Sequence, residues 1–421
     1  MPDILDVAVI GAGSRGATHL EIISRLTDKF RLTAVCDARE DRRAWAADIY
    51  NVPTFDSPIS LLDQAKPHAV AVVIPPDAHH LVTAVAAQRG VHVLSETPMA
   101  TTLAMCDDMI ATTRKTGVVL EISENVWRFA PERLKRLAMD AGLLGRVTQV
   151  HLWYRSGSYH GMNALRRFIT APPSRVLGLS REVDVPMYRD LDGVERHRQS
   201  WELGAIDFPT GQVAVYQLPV GSDRGNLWEV IGTQGSLMGT DLVLFDGPNG
   251  ARRRVHMETI AEDTTYGRNV IDALRYAPGE GLPTVTWENP YRRYATTSAD
   301  EIARADIYTA FHDAIAAGKG TPATPTESGW PQTPPTAASF YGPQNGRADV
   351  ELLMAVRESA ARGNTWIDLP LPKGQDTTFE SQVHQAFERT YGAAPFSDPE
   401  RLLSTLFPRR GLAQSVGGVV G

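Results

Sequence analysis

Two short stretches of the sequence hold the side chains best suited to chemistry. His160 lies in the stretch Ser-Tyr-His-Gly, and an imidazole can gain or lose a proton near neutral pH. We interpret His160 as an acid–base residue with Tyr159 as an assisting donor, the alternative being a hydrogen-bonded histidine in a loop. The stretch Ser-Glu-Thr-Pro-Met-Ala places Thr97 between Glu96 and Pro98. A threonine hydroxyl cannot act as a base, so Thr97 is expected to hydrogen-bond a bound molecule.

A glycine pattern near the amino terminus predicts a phosphate-binding turn. Gly11, Gly13 and Gly16 directly follow an apolar run and open a helical pattern. The first glycine allows a tight turn, the second lets the backbone approach a pyrophosphate, and the third allows close packing of helix on strand. The amino-terminal N–H groups of that helix would then face the phosphates. Asp37 ends the next apolar run, where its carboxylate can accept hydrogen bonds from a ribose 2′-hydroxyl. The pattern indicates a dinucleotide-binding site.

The same region bears on which dinucleotide is bound. The carboxylate of Asp37 would repel a 2′-phosphate, which favours NAD over NADP. Arg39, Arg42 and Arg43 follow closely and could partly reverse that preference. NAD is therefore the predicted cofactor, and NADP stays open.

The spacing of apolar residues predicts two domains and a carboxyl-terminal extension. Residues 1–123 alternate β-branched runs with helical segments, which is typical of a Rossmann α/β domain with a doubly wound parallel sheet. Residues 124–373 contain runs of alternating polarity between Gly and Pro turns, which predicts an α+β domain with a large, mainly antiparallel open sheet. Within it, residues 318–346 are rich in Pro, Thr and Gly and are predicted to form a loop or a lid. Residues 374–421 are predicted to form a partly helical extension.

Composition narrows the class of protein. The chain has 421 residues, of which 43% are hydrophobic and 22% charged, as in ordinary globular proteins. A net charge of −7 argues against nucleic acid or an anionic membrane as the main partner. Cys36 and Cys106 form no disulfide framework, and no leader pattern precedes the first strand, so we expect a cytoplasmic protein. No His, Cys or carboxylate set has the spacing of metal ligands, so no catalytic metal is predicted.

Several stretches together resemble the glucose–fructose oxidoreductase and inositol 2-dehydrogenase family, often written Gfo/Idh/MocA. They are the glycine turn at 11–16, the Pro-Pro-Asp-Ala-His stretch at 75–79, the strand and turn at 90–98, and the Asn-Val-Trp-Arg-Phe stretch at 125–129. The resemblance spans roughly residues 5 to 371. It implies hydride transfer between a sugar or polyol carbon and nicotinamide, usually without a metal.

The resemblance also implies a set of site residues in this sequence. Asn163 and Arg128 would contact the substrate, and Thr97 would contact a substrate hydroxyl or the nicotinamide amide. Independently of the resemblance, Tyr154 or Trp153 offers an aromatic face for a sugar ring, and at most one of them lines the site because neighbours in a strand point to opposite faces. The cofactor-binding residues are expected to be Gly11, Gly13, Ser14, Arg15, Gly16, Asp37, Pro75, Pro76, His79, Glu96, Thr97 and Asn125.

Two places depart from the family's pattern. Thr97 stands where members commonly carry a lysine between Glu and Pro. In Ser-Gly-Ser-Tyr-His-Gly-Met-Asn, the residues Ser156, Ser158 and Asn163 replace the family's acids and glycine, while His160 remains. Both changes put the family's usual proton relay in doubt.

Three hypotheses follow. The leading one is an NAD(P)-dependent oxidoreductase that acts on a sugar, cyclitol or related polyol. One alternative is a redox-neutral enzyme in which tightly held NAD⁺ transiently oxidises a sugar to permit elimination or glycoside cleavage. The other is a non-catalytic dinucleotide-binding protein. The open sheet also predicts a homo-oligomer.

Overall fold

The computed structural model describes residues 2–189, 195–246, 250–263, 269–279, 281–318, 320 and 340–410. Its amino-terminal part contains a six-stranded sheet in the order β3-β2-β1-β4-β5-β6, with every pair of neighbours parallel. The strands are β1 (Leu5–Ile10), β2 (Phe30–Cys36), β3 (Thr54–Phe55), β4 (Ala69–Val72), β5 (His92–Ser95) and β6 (Leu120–Ile122). The order reverses between β1 and β4, which is the position where doubly wound sheets bind dinucleotides. The predicted Rossmann sheet is confirmed.

Five helices connect these strands, because parallel neighbours require crossover connections. They are α1 (Ser14–Arg25), α2 (Glu40–Tyr50), α3 (Pro58–Ala65), α4 (His79–Gln88) and α5 (Leu103–Thr116). The four residues of β4 and the four of β5 are all buried, as expected for strands covered on both faces.

The amino-terminal ends of α5 and α1 differ in whether a side chain caps them. The side chain of Thr102 caps α5 by accepting a hydrogen bond from the Met105 N–H, whereas Gly13 gives α1 no side-chain cap.

The second part of the chain contains a nine-stranded sheet in the order β14-β13-β12-β11-β7-β10-β9-β8-β18. All neighbours are antiparallel except the parallel pair β7 and β10. The strands are β7 (Val147–Trp153), β8 (Arg175–Arg189), β9 (Glu195–Asp207), β10 (Val213–Leu218), β11 (Leu227–Gly232), β12 (Gly235–Met238), β13 (Asp241–Asp246), β14 (Ala251–Val255) and β18 (Ile367–Asp368). Along β10 and β11, buried residues alternate with more exposed ones, so one sheet face packs on the core. The predicted antiparallel open sheet is confirmed.

A smaller antiparallel sheet and four helices complete this part. The sheet consists of β15 (Glu258–Asp263), β16 (Asn269–Tyr276) and β17 (Val285–Glu288), and the helices are α6 (Ala130–Asp140), α7 (Ser158–Phe168), α8 (Ala299–Ala316) and α9 (Gly342–Ala361). Helix α9 packs against β6 and α5 of the Rossmann part and against β8 of the large sheet. At Gly178 of β8, an added Cβ would lie 2.0 Å from the Val356 carbonyl oxygen, so the backbones of sheet and helix touch directly. This helix therefore ties the two sheets together.

The start of α9 corrects the predicted loop at 318–346. The helix begins at Gly342, with Pro343 in its first turn, so the end of the predicted loop is already helical. Proline is tolerated there because the first N–H groups of a helix have no partner within the helix. Residues 319 and 321–339 lie outside the described residues, so the lid stays a prediction.

The carboxyl-terminal extension folds back on the rest of the protein. It contains α10 (Thr378–Tyr391) and α11 (Pro399–Arg410), which pack against α9 and α4 respectively. A capping box formed by Thr377 and Glu380 starts α10. The last residues, 411–421, lie outside the described residues, and the exact domain boundaries stay predictions. Within the described ranges, no helix combines the length and apolar character needed to cross a bilayer.

Candidate active site

The turn after β1 is built so that only glycine fits. Gly11 has a φ of +105°, and an added Cβ there would lie 2.0 Å from the Val73 carbonyl oxygen. At Gly16, an added Cβ would lie 2.0 Å from the Gly11 carbonyl oxygen. The N–H of Ala12 donates to Oδ2 of Asp37 at 2.7 Å. The turn, the start of α1 and the end of β2 are thereby fixed relative to one another.

This turn fits the phosphates and ribose of a dinucleotide. A Cβ at Gly13 would meet only the Arg42 guanidinium, at 3.3 Å, so the backbone at the uncapped start of α1 is open to a ligand. Asp37 is buried, and its two oxygens accept the N–H groups of Ala12 and Arg39 at 2.7 and 2.9 Å. Each carboxylate oxygen retains acceptor capacity for a ribose hydroxyl. Ser14 is exposed at the same turn.

The three arginines near Asp37 are not equivalent. Arg39 pairs with Asp41, and Arg43 donates to the main-chain carbonyl oxygens of residues 37 and 38. Arg42 lies 3.7 Å from the carboxylate of Asp37, beyond hydrogen-bond distance, and faces Gly13. Of the three, Arg42 is the cation placed to meet a group on the adenosine ribose.

Glu96 is the most heavily hydrogen-bonded acid of the site. It lies directly after β5, is 7% exposed, and accepts hydrogen bonds from Nε of Arg15 at 2.7 Å and Nε2 of His19 at 2.8 Å. Ser123 Oγ and the N–H of Thr97 also donate to it, at 3.2 and 2.8 Å. Burial alone would raise the pKa of Glu96, but Arg15, His19 and the Thr97 N–H outweigh it and hold that pKa well below its usual range. Glu96 therefore stays an anion.

Thr97 also belongs to the hydrogen-bonded cluster around Glu96. Its hydroxyl donates to Oε2 of Glu96 at 3.2 Å, and its side chain remains half-buried. The hydroxyl proton is directed at Glu96, so the free lone pairs of Thr97 can only accept a hydrogen bond from a ligand. The charge of Glu96 is balanced by the guanidinium of Arg15, 2.7 Å away.

His79 connects two loops at the edge of the parallel sheet. Its ring is buried, with Nε2 2.7 Å from the Ile74 carbonyl oxygen and Nδ1 3.0 Å from that of Pro98. Burial lowers the pKa of His79, whereas the two carbonyl oxygens favour the protonated ring, since a neutral ring could donate to only one of them. Pro75 is exposed and Pro76 half-buried in the loop that His79 holds. His79 therefore positions the cofactor loops rather than contacting a ligand, which corrects its predicted role.

His160 forms a pair with a glutamate that the sequence patterns did not single out. Nδ1 of His160 lies 3.1 Å from both carboxylate oxygens of Glu124, which is completely buried. A carboxylate only accepts, so Nδ1 carries the proton and Nε2 of the neutral ring holds the lone pair. Burial lowers the pKa of His160, but Glu124 more than compensates and raises it above 6.5. The arrangement is that of a general base oriented by a carboxylate.

Glu124 lies two residues after the end of β6 and directly precedes Asn125, which is the only nearby residue that the sequence patterns singled out. Because parallel strands end at one edge, Glu124 and Glu96 share the carboxyl edge of the sheet. Through its contact with Glu124, His160 reaches the same edge of the sheet.

Asn125 links this site to α8. Its Nδ2 donates to Oδ1 of Asp300 at 3.0 Å, and Arg15 Nη1 lies 3.5 Å from the same oxygen. Arg304 pairs with the other oxygen of Asp300. Within the described ranges, the buried Oδ1 of Asn125 has no hydrogen-bond partner, so a donor on a bound ligand would satisfy it.

Tyr154, Asn163 and Arg128 are buried against protein groups, which contradicts their predicted contact with substrate. Tyr159 is 5% exposed, and its buried hydroxyl has no hydrogen-bond partner in the described part of the chain, so its role as an assisting donor stays a prediction. Tyr154 is 1% exposed and stacks on Trp228 with ring centres 5.4 Å apart, so no sugar can stack on it.

The other two corrected residues are polar. Asn163 donates to the Tyr341 hydroxyl at 2.6 Å and to Asp349 at 3.1 Å. Arg128 is completely buried and pairs with Asp306, which also accepts from Arg133 at 2.7 Å. A buried guanidinium paired in this way serves the fold rather than the substrate.

The two serines at which the sequence departs from the Gfo/Idh/MocA pattern, Ser156 and Ser158, also form hydrogen bonds within the protein. Ser158 Oγ donates to Oε2 of Glu202 at 2.6 Å, and the Ser156 N–H donates to Oδ1 of Asn226 at 3.1 Å. Among the described residues, no three His, Cys, Asp or Glu side chains come together as a metal-binding group.

Comparison with known proteins agrees with this geometry. Residues 5–124 match the Gfo/Idh/MocA family model, described as an oxidoreductase family with an NAD-binding Rossmann fold. Inositol 2-dehydrogenase 2 of Saccharopolyspora erythraea is 30% identical over 157 residues, which are 37% of this chain and 46% of that protein. D-glucoside 3-dehydrogenase of Escherichia coli K12 is 34% identical over 146 residues, 34% of this chain and 41% of that protein. The chain thus spans less than half the length of either relative.

A solved structure extends the likeness of fold to both parts of the chain. Levoglucosan dehydrogenase, solved with NADH and levoglucosan, superposes with a TM-score of 0.63. The match covers 87% of this chain and 100% of that one at 17% sequence identity. At this identity the likeness shows the fold alone.

The corrected role of Arg128 gives a testable prediction. Arg128→Ala should lower the free energy of unfolding by about 3–5 kcal/mol, because it leaves Asp306 buried with one cation fewer. Urea unfolding followed by circular dichroism measures this. The matched control is Arg136→Ala, which removes an exposed pair with Asp140 and should cost less than about 1 kcal/mol. A stable Arg128→Ala variant with a selectively raised KM for substrate would restore the substrate-binding role.

Proposed function

We propose, on the premise that residues 5–124 are the NAD-binding Rossmann domain of the Gfo/Idh/MocA oxidoreductases, that this protein is an NAD-dependent oxidoreductase. Its proposed substrate is a sugar, cyclitol or related polyol. The observation that carries the proposal is the pair of His160 and Glu124, which supplies a base at the sheet edge where the cofactor binds. Two relatives named as inositol and glucoside dehydrogenases support the substrate class.

Each part of the candidate active site has a distinct role in the proposed reaction. The turn at 11–16 and Asp37 bind the pyrophosphate and ribose, and the bound nicotinamide supplies the hydride acceptor. Nε2 of His160 accepts the hydroxyl proton of the substrate. Glu124 keeps the other proton of the ring on Nδ1 and stabilises the imidazolium that forms. Thr97 accepts a hydrogen bond from the ligand, and Glu96 stays charged and holds Arg15 and Thr97 in place.

The two alternatives lack a specific observation in their favour. A redox-neutral glycoside-cleaving scheme would need a further base beside the oxidised carbon, and burial removes Tyr159 and Tyr154 as candidates. A non-catalytic protein would have no use for a histidine oriented by a buried carboxylate in the cofactor site. Cytoplasmic location stays a prediction from the sequence.

The first prediction from the proposed function concerns the proposed base, His160. His160→Gln should abolish turnover while NADH binding, measured by fluorescence titration, stays within about threefold of wild type. Oxidation needs the neutral ring, and the pKa of that ring is raised, so kcat/KM should fall as pH drops through a value above 6.5. Glu124→Gln removes the charge that raises this pKa, so the acidic limb should move to lower pH and kcat should fall by about 10²-fold.

The control for this series is His151→Gln. His151 is half-buried on β7, and its ring lies 3.2 Å from the Gln149 side-chain oxygen. It should leave both turnover and the pH profile unchanged. An active His160→Gln enzyme with an unaltered acidic limb would exclude His160 as the base.

The second prediction concerns the finer choice of dinucleotide. We propose that NAD is preferred and that Arg42 allows weaker binding of NADP by pairing with the 2′-phosphate. Arg42→Gln should raise the Kd for NADPH about tenfold and change the Kd for NADH less than threefold. Arg39→Gln is the control and should leave the ratio of the two constants unchanged. Equal loss of both nucleotides in Arg42→Gln would contradict this assignment.

The third prediction concerns assembly. The outward face of the nine-stranded sheet carries half-exposed apolar side chains such as Leu203, Val215 and Ile231. We propose that a second copy of the chain covers this face, because apolar side chains left half-exposed on an open sheet are protected from water when two copies pack together. Sedimentation equilibrium should give a multiple of 46.0 kDa, and Val215→Lys should reduce the mass. A wild-type monomer at micromolar concentration would rule the assembly out.

A further inference from the structure

The carboxyl-terminal extension reaches one of the loops of the cofactor site. The Tyr391 hydroxyl, at the end of α10, donates to Oδ2 of Asp77 at 2.6 Å. Asp77 lies in the helical turn Pro76–Ala78, directly before α4. The contact joins residues that are 314 positions apart in the chain. The loop that follows β4 is thus held from outside the Rossmann domain.

That loop packs between the other two cofactor loops. Its first residue, Val73, touches the glycine turn, since its carbonyl oxygen occupies the space a Cβ of Gly11 would need. Its next carbonyl, of Ile74, faces the His79 ring, whose other nitrogen faces the Pro98 carbonyl beside Thr97. A displacement at Asp77 would therefore pass to both neighbouring loops through backbone contacts.

The extension is itself firmly anchored next to this loop. Nε2 of His80, one residue into α4, lies 2.9 Å from the Pro395 carbonyl oxygen. The Phe387 and Tyr391 rings lie 4.6 Å apart, and the His80 ring lies 6.1 Å from Phe387. In α11, which packs on α4, the apolar side chains are buried, namely Leu402, Leu403, Leu406 and Phe407. Tyr391 is 9% exposed, so its hydroxyl is held in place by packing.

We propose that Tyr391 is a positioning residue of the cofactor site, which sets the conformation of residues 73–78 against the nicotinamide half of NAD. The proposal rests on the proposed function. A loop that is already ordered costs no conformational entropy when the dinucleotide binds, so the contact contributes to cofactor affinity without touching the cofactor. The carboxyl-terminal extension is then part of the NAD site rather than an appendage.

The test is a pair of tyrosine variants in the full-length protein. Tyr391→Phe removes only the hydroxyl and should raise the Kd for NADH about fivefold, measured by fluorescence titration. The matched control is Tyr276→Phe on β16, whose hydroxyl donates to the Thr240 carbonyl oxygen, also at 2.6 Å, and lies in the second domain. Both variants lose one partly buried hydrogen bond and should unfold at lower temperature, but Tyr276→Phe should keep the wild-type Kd.

A double-mutant cycle tests whether the loss of NADH affinity comes from the hydrogen bond between Tyr391 and Asp77. Asp77→Ala and Tyr391→Phe combined should weaken NADH binding no more than Asp77→Ala alone, because either change breaks the same hydrogen bond. A Tyr391→Phe variant with lowered thermal stability and unchanged Kd would reduce the contact to a structural one and overturn the proposal. If the losses of NADH affinity in the two single variants add up in the double variant, the proposal is overturned as well. Wild-type protein that binds no dinucleotide would instead remove the proposed function itself.

Discussion

A single buried carboxylate, that of Glu96, constrains the arrangement of the candidate site. An anion in the protein interior must be surrounded by donors, and Glu96 recruits them from three separate parts of the chain. Arg15 and His19 come from α1, Ser123 from the end of β6, and Thr97 from its own turn. His19 is in turn joined to Tyr308 of α8 by a 2.9 Å hydrogen bond. The charge of Glu96 thereby fixes the glycine turn, the last two strands of the parallel sheet and α8 in one arrangement.

The permanent positive charge of Arg15 limits which groups of the site can act as a base. In this chain the positive charge beside Glu96 belongs to a guanidinium, which does not deprotonate in proteins, so Arg15 cannot serve as the base. The proposed oxidation needs a base, and the described residues offer His160 with Glu124 at the same sheet edge. A threonine at position 97, where Gfo/Idh/MocA proteins commonly carry a lysine, is consistent with the proposed division, in which Arg15 supplies the charge and His160 the base.

The sequence predicted those features whose physical cause is local. Gly11, Gly13 and Asp37 were predicted because a tight turn, a helix start and an acid at a strand end leave marks within a few residues. Tyr154 was misassigned because the period of two in a strand does not reveal which face is the core. Arg128 was misassigned because its partner, Asp306, is 178 residues away and only folding brings them together. Glu124 was missed since nothing in the sequence shows that its carboxylate meets His160, 36 residues later.

The protonation state of His160 is the most direct test of the account. Nitrogen-15 NMR of full-length protein labelled at histidine, with His160→Gln used to assign the signals, reports both the tautomer and the pKa of each ring. The account predicts that the neutral His160 ring carries its proton on Nδ1 and that its pKa lies above 6.5. A proton on Nε2, or a pKa below that value, would mean that Glu124 does not orient this histidine and that the base must be sought elsewhere.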